Sequence, residues 1–322
     1  MRQFKSGYGH DLPGMANKRT RLSQFPDDQP VRMKLFGLGS AGCNMIEGAP
    51  FPTVAFSTSS ADIARSHADR KILLGQDRLI GAAHSGHSIL KRLPEIAGHE
   101  VVDLFNNTDL AFLMCGLGGV SGSIGAKLFT SVAQSRGTVD IVLAAVPFSA
   151  ESERRRELAM SMLRELHRTS ALCIEFSNDK LSDLAPNMPM SRAFGLMNGI
   201  MLRPVMDMIS TVSRSDMGLL RQVVGNATSG RFGLGLARGD DRVERTVKEA
   251  LSSPWFDFDL GQVPSAIAVY SSADPWEAEI GKVLSGLETR LPNAGILWGS
   301  YQDVALGDRI RLSLVLCNRP AT

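Results

Sequence analysis

Residues 110–125, Leu-Ala-Phe-Leu-Met-Cys-Gly-Leu-Gly-Gly-Val-Ser-Gly-Ser-Ile-Gly, constrain this chain more than any other stretch. The unbroken apolar run Leu110 to Cys115 has the length and composition of a buried strand. It empties into a glycine-rich turn that opens a helix, predicted to begin at Gly122. That geometry makes an anion site. Gly116, Gly118, Gly119 and Gly122 let backbone approach a ligand closely, and the first amides of the helix have no partner within it. Ser121 and Ser123 add hydroxyls. A tight turn with no ligand would use the same glycines, so the rest of the chain has to decide.

The chain has 322 residues, 43% of them apolar and 21% charged, which is room for about two domains of an ordinary soluble globular protein. A formal charge of +2 gives no general attraction for nucleic acid or an anionic membrane, and no nucleic-acid partner is expected. Cys43, Cys115, Cys173 and Cys317 are far apart, and most lie in or beside apolar runs, so they read as reduced core residues of a cytosolic protein. No apolar stretch reaches the roughly 18 residues of a membrane span, and the amino terminus lacks a signal-peptide block. The expected location is cytoplasmic.

Residues 1–30 show no apolar periodicity and read as a disordered basic arm, with Arg2, Lys5, Lys18, Arg19 and Arg21. It is a solvated tail or a docking arm, and any membrane contact would run through it alone. Val31 to Phe36 is a strand leading into Gly37-Leu38-Gly39-Ser40-Ala41-Gly42-Cys43-Asn44, formally a G-x-G-x-x-G. A dinucleotide fold would place a ribose-binding acid at the end of the second strand. That strand, Thr53 to Phe56, ends instead in Ser57-Thr58-Ser59-Ser60, with no carboxylate before Asp62. A P-loop is absent too, since no G-x-x-x-x-G-K-[ST] occurs. What distinguishes the chain is having two glycine turns, each after a strand of a βα alternation. A parallel sheet brings both to its carboxyl edge, where two amide cradles suit a di- or triphosphate. His84 and His87, in a small-residue loop between them, lack further ligands to complete a metal site, and no metal ligands are assigned.

Gly137 to Val146 is the next buried strand, followed by Pro147-Phe148-Ser149 and a helix with Leu158, Met162 and Leu166 on one face. Glu151 and Arg155 stand one helical turn apart beside the sheet edge, at the start of the run Arg154 to Arg156. After the strand Ala171 to Phe176, the residues Phe194, Met197, Met201, Val205, Met208 and Val212 predict one long helix with a methionine core stripe, bent at Pro204. Ser213 to Gly235 reads as polar, glycine-rich chain. A second unit then follows, with helices over 242–251 and 276–291 and strands over 265–270, 296–301 and 309–317. It carries no nucleophile–base–acid constellation.

In this order the parts resemble the FtsZ and tubulin superfamily of filament-forming GTPases, and FtsZ most closely, over residues 31–318. Gly116-Leu-Gly-Gly-Val-Ser-Gly-Ser is similar to that family's signature loop, usually G-G-G-T-G-[ST]-G. Pro147-Phe-Ser with Glu151 and Arg154 to Arg156, Asn178-Asp-Lys-Leu181, Ala193-Phe194 and Leu306-Gly-Asp-Arg-Ile-Arg-Leu-Ser fall where the family has similar words. The resemblance implies an α/β fold: a parallel-sheet GTP-binding domain (31–190), a long central helix (191–213) and a smaller α+β domain (214–318). It implies GTP or GDP as ligand, with Mg2+ as a candidate companion. Gly37, Gly39, Ser40 and Asn44 would line the first loop, with Asn44 near the base. Gly118, Gly119, Ser121 and Gly122 would hold phosphates. Glu151 would bind ribose, Arg155 and Asn178 would reach the nucleotide, Phe194 would stack on guanine, and Asn198 would bond its edge.

The departures are informative as well. Val120 and Ile124 stand where the signature has glycines, and Ser59 where an acid is expected. The family completes hydrolysis in trans, through a neighbour's loop carrying an Asn and two acids. Here the corresponding stretch, Ser210 to Leu219, is shorter: Asp216 is the one candidate acid, Leu219 falls at the other, and Arg214 replaces the Asn. Leucine cannot activate water, so hydrolysis is expected to be slow or absent. The sequence ends at Thr322, without the partner-binding tail usual in FtsZ. The leading expectation is a GTP-binding protein that self-associates head to tail. The alternatives are a non-polymerising regulator or capping partner of another FtsZ and, on Gly37 to Gly42 alone, an NAD-dependent oxidoreductase.

Overall fold

The computed structural model describes residues 19–23, 30–75, 77, 79, 93–225 and 229–318, and within them alternating apolar runs and helical stripes give the strands and helices that follow. The His84–His87 loop and most of the amino-terminal arm lie outside the described residues. The strands are β1 (Arg19–Arg21), β2 (Met33–Leu38), β3 (Thr53–Ser57), β4 (Arg70–Leu73), β5 (Leu110–Gly116), β6 (Val139–Val146), β7 (Leu172–Ser177), β8 (Ser229–Ala237), β9 (Ser265–Ser272), β10 (Gly295–Gln302) and β11 (Ile310–Asn318). The helices used below are α1 (Gly39–Met45), α2 (Ser60–Arg65), α3 (Leu93–Leu104), α4 (Val120–Ser135), α5 (Glu153–Thr169), α6 (Met190–Thr211), α7 (Met217–Gly225), α8 (Arg242–Leu251) and α9 (Glu277–Arg290).

All strands join one sheet, in the order β1-β10-β9-β11-β8-β7-β6-β5-β2-β3-β4. From β4 to β8 every pairing is parallel, as expected for strands separated by crossover helices, whereas β11 runs antiparallel to both β8 and β9. The parallel half is buried on both faces. One face holds an aromatic cluster in which Phe36 stacks on Phe105 at 5.0 Å and meets Phe129 edge-on. The other face packs under α6, whose Met197, Met201, Val205 and Met208 share a core with Met114, Leu143 and Ile174. The methionine stripe is therefore core, and α6 runs unbroken through Pro204.

The two halves of the sheet touch through few backbone bonds. Among the described residues, β7 and β8 pair at Cys173–Ser229 and Ile174–Gly230. A shared apolar core, in which Phe176 packs against Phe232 and Trp255, joins them further, and a largely buried polar knot adds to it. The Tyr301 hydroxyl donates to Asp207 of α6 at 2.7 Å and accepts from Arg203 and Arg311, while Arg311 also reaches Asp303 at 2.9 Å.

Three expectations need correction. First, the chain from Ser213 to Gly235 is not irregular. It holds α7, with Met217, Leu220, Val223 and Val224 buried, and the strand β8. The glycines that disguised β8 are packing residues, since a Cβ on Gly233 or Gly235 would run into the carbonyls of Ala250 or Thr246 on α8. Second, residues 1–30 are not all an unfolded arm, because Arg19–Arg21 form β1 on the edge of β10. Third, two boundaries shift: β2 extends to Leu38, so Gly37 lies inside it, and α4 begins at Val120 with Gly119 as its cap.

Candidate functional site

At the carboxyl ends of β2, β5, β6 and β7 the chain turns out of the sheet, and a cavity of about 580 Å3 opens there. Its floor rests on the two glycine turns, which interlock. Gly39, at φ +73°, lies so close to the second turn that a Cβ would sit 2.7 Å from the Gly122 amide nitrogen. Gly122 in turn presses on the Gly116 carbonyl, leaving no room for a side chain between them. The first-turn amides of α4 have no intrahelical partners and lie at this junction.

The serines of the second turn divide their work. Ser123 is turned inward, its Oγ accepting the Gly118 amide at 2.9 Å. Ser121 points the other way, with its Oγ 2.6 Å from the Thr58 hydroxyl at the end of β3. The phosphate-type turn is thus tied to the sheet on one side and closed on itself on the other.

The walls come from further along the chain. Ser40 and Asn44 project from α1, Asn178 from the turn after β7, and Phe194 and Asn198 from the start of α6. Glu151 and Arg155 form an ion pair of 2.7 Å, and Glu151 is further fixed by the Phe148 amide, which donates to its other oxygen at 3.0 Å. A carboxylate held this way presents a fixed acceptor at the cavity edge. Phe194 is 42% exposed and packs edge-on to Phe148 at 6.0 Å, so one aromatic face is open to the cavity.

Eight residues named from the sequence therefore line one cavity: Ser40, Asn44, Gly116, Glu151, Arg155, Asn178, Phe194 and Asn198. Gly37, Gly39, Gly118, Gly119, Ser121 and Gly122 belong to the turns beside it rather than to its walls. Sequence reasoning assigned no site role to Met45, Leu117, Phe148, Met190 or Met197, which supply its apolar lining. Met190 could have been found, as it stands one helical turn before Phe194 on the same helix.

Asp216 lies elsewhere. It is 2% exposed, in the short turn between α6 and α7. One carboxylate oxygen accepts from the Ser213 amide at 2.8 Å and hydroxyl at 2.7 Å, and the other from the Ser23 amide at 2.9 Å and hydroxyl at 2.8 Å. Next to it, Arg214 lies 3.6 Å from Asp109 at the amino end of β5. Asp109 also binds Arg32, and these cations hold its carboxyl down at about 2.

The Tubulin/FtsZ family GTPase-domain model matches residues 32–186. The chain is 30% identical to cell division protein FtsZ 1 of Archaeoglobus fulgidus over 322 residues, covering 94% of this chain and 86% of the relative. It is 29% identical to cell division protein FtsZ of Methanothermobacter thermautotrophicus over 311 residues, covering 92% and 81% of the two chains. Among solved structures, an empty FtsZ dimer from M. jannaschii superimposes with a TM-score of 0.79 at 26% identity, over 90% of this chain and 89% of that one. CetZ2 from Haloferax volcanii has the same fold, with a TM-score of 0.70 at 19% identity over 89% and 93%.

Proposed function

Starting from a chain that belongs to the Tubulin/FtsZ family, as an FtsZ-like cytoskeletal protein of the tubulin superfamily, we propose that it binds GTP or GDP in the 580 Å3 cavity and self-associates head to tail, with little or no hydrolysis. The observation that carries the reading is the convergence of two interlocked glycine turns with an open aromatic face and two asparagines in one cavity. Each part has a matching chemical task. The α4 amides, which have no intrahelical partner, suit phosphate oxygens. The fixed Glu151 carboxylate suits ribose hydroxyls, and Arg155 adds charge beside them. Phe194 suits stacking on a purine, with Asn44 and Asn198 placed for its polar edge.

The described residues at the turns offer hydroxyls from Ser121 and Thr58, while the nearby Asp62 is engaged by Ser57 and Arg65. A Mg2+ ion there would take most of its oxygens from phosphate and water, which is its habit in nucleotide sites. The G-x-G-x-x-G of Gly37 to Gly42 fits half of a phosphate cradle better than a nicotinamide fingerprint, because β3 ends in Ser57 to Ser60 without a ribose-binding acid.

Exposed apolar side chains near the cavity, Leu184, Met188, Met190 and Leu196, support docking of another subunit over it. The partner is a second copy or another FtsZ. Slow turnover follows from the turn a neighbour would offer: Asp216 has four hydrogen bonds on its carboxylate, and Leu219 follows. The altered turn also supports a second reading, a capping partner that binds nucleotide and does not polymerise. Guanine nucleotide uptake, phosphate release and GTP-dependent sedimentation test the proposal together. Protein that takes up no guanine nucleotide would overturn it, and filaments formed by the protein alone would exclude the capping role.

A further inference from the structure

The short strand β1 lies outside the matched GTPase domain, yet it is fastened to the molecule at every residue. Arg19 grips Glu288 with two nitrogens, and Arg21 pairs with Glu277 at 2.7 Å while lying 4.7 Å over the Trp298 ring. Ion pairs this exposed add little by themselves. The anchor is Leu22, 2% exposed and in the same core as Met208 and Val212 of the α6 end, with its amide donating to Trp298 at 2.7 Å. Thr211 and Leu22 both close on Gly299, so the end of the central helix and the strap share one seat on β10.

The next residue reaches the turn that follows that helix. Ser23 supplies both donors to one oxygen of Asp216, and its hydroxyl lies 3.0 Å from that of Ser215. Ser213 supplies both donors to the other oxygen. A buried carboxylate with four donors is a rigid junction, and half of this one belongs to the amino-terminal segment. We infer that Arg19–Ser23 is a strap that holds the 213–216 turn closed, with Ser23 as the residue positioning Asp216. Through it the amino-terminal segment governs the face that this turn presents to a neighbouring copy. The last clause rests on the head-to-tail reading above, whereas the strap itself does not.

The test uses hydrogen–deuterium exchange of the 211–219 segment in nucleotide-free, full-length protein. Leu22→Asp removes the anchor, and Ser23→Ala cuts only the side-chain bonds and keeps β1, so one informative variant remains if the first fails to fold. Tryptophan fluorescence, recorded in a Trp255→Phe, Trp276→Phe background that leaves Trp298 alone, reports whether the strap has left. The account expects exchange in 211–219 to rise about tenfold in Ser23→Ala, the effect of losing one charged hydrogen bond, and further in Leu22→Asp with a red shift of Trp298. Exchange that stays at the wild-type rate in Ser23→Ala, or in Leu22→Asp once the tryptophan emission has shifted, would overturn the strap, since the turn would then be holding itself. GTP-dependent sedimentation of Ser23→Ala tests the link to the neighbouring copy. Altered sedimentation at unchanged nucleotide affinity is expected, and unaltered sedimentation despite faster exchange would overturn that link. Wild-type protein that never sediments with GTP would count against the head-to-tail reading alone, because the exchange result stands without nucleotide.

Discussion

Phe194→Ala separates ligand recognition from fold stability at one residue. In the free protein the ring is 42% exposed and its closest aromatic partner is Phe148, edge-on at 6.0 Å. Truncation should therefore cost the fold about 1–3 kcal/mol, from the part of the ring that is covered and its contact with Phe148. On the proposed reading the same ring would gain a base on its open face in the nucleotide complex, a contact worth about 1–3 kcal/mol. The dissociation constant for GDP should rise by about 5- to 150-fold, while the melting temperature of the free protein falls by no more than a few degrees. Phe194→Trp keeps a stacking face and should keep most of the affinity. Calorimetric titration of GDP into each variant, beside its melting curve, reads both quantities. An affinity for Phe194→Ala within twofold of wild type would refute the stacking assignment, and with it the placement of the base beside α6.

Gly122→Ala would force a methyl group into the Gly116 carbonyl where the two turns meet; it should destabilise the protein by about 1–3 kcal/mol and abolish measurable nucleotide binding, as thermal melts with and without GDP would report. Asp140, buried in β6, has its carboxyl pushed up to about 6 by loss of water. The native state therefore holds its proton where the unfolded chain has released it, so stability is full below about pH 4 and declines as pH rises through 6. Asp140→Asn, which does not titrate, should match wild type near pH 4 and exceed it by about 2–3 kcal/mol at pH 7.5 in denaturant titrations. Asp207→Ala would remove the acceptor shared by Tyr301 and Arg203 between the halves of the sheet; a loss of about 3 kcal/mol is expected, read as a lower urea midpoint.

The parts of this molecule that were legible in the sequence are those where local pattern and tertiary role coincide. Leu110 to Cys115 is apolar because β5 is covered on both faces, and the α6 stripe repeats every three or four residues because that is the face it buries. Glu151 and Arg155 were readable because one helical turn is a fixed distance. Strand β8 was not, since Phe-Gly-Leu-Gly-Leu looks like a loop until α8 is laid against it and leaves no room for side chains at Gly233 and Gly235. Helix α7 was hidden for a related reason: the polar run Ser213 to Asp216 just before it serves a buried carboxylate rather than solvent. The role of β1 was out of reach of any local pattern, because Leu22 and Ser23 are explained only by partners almost two hundred residues or more away. In the candidate site, the polar and aromatic residues could be named from motif words, whereas Met45, Leu117 and Met197 carry no mark that distinguishes lining from core.

The central claim is that two interlocked glycine turns and the start of the central helix form one guanine nucleotide site. Its most direct test is calorimetric titration of nucleotide-free protein with GDP, GTP, ATP and NAD in parallel. The account predicts one guanine nucleotide bound per chain, with ATP and NAD bound far more weakly or not at all. Saturable binding of NAD, or no heat with either guanine nucleotide from protein that melts cooperatively, would contradict it.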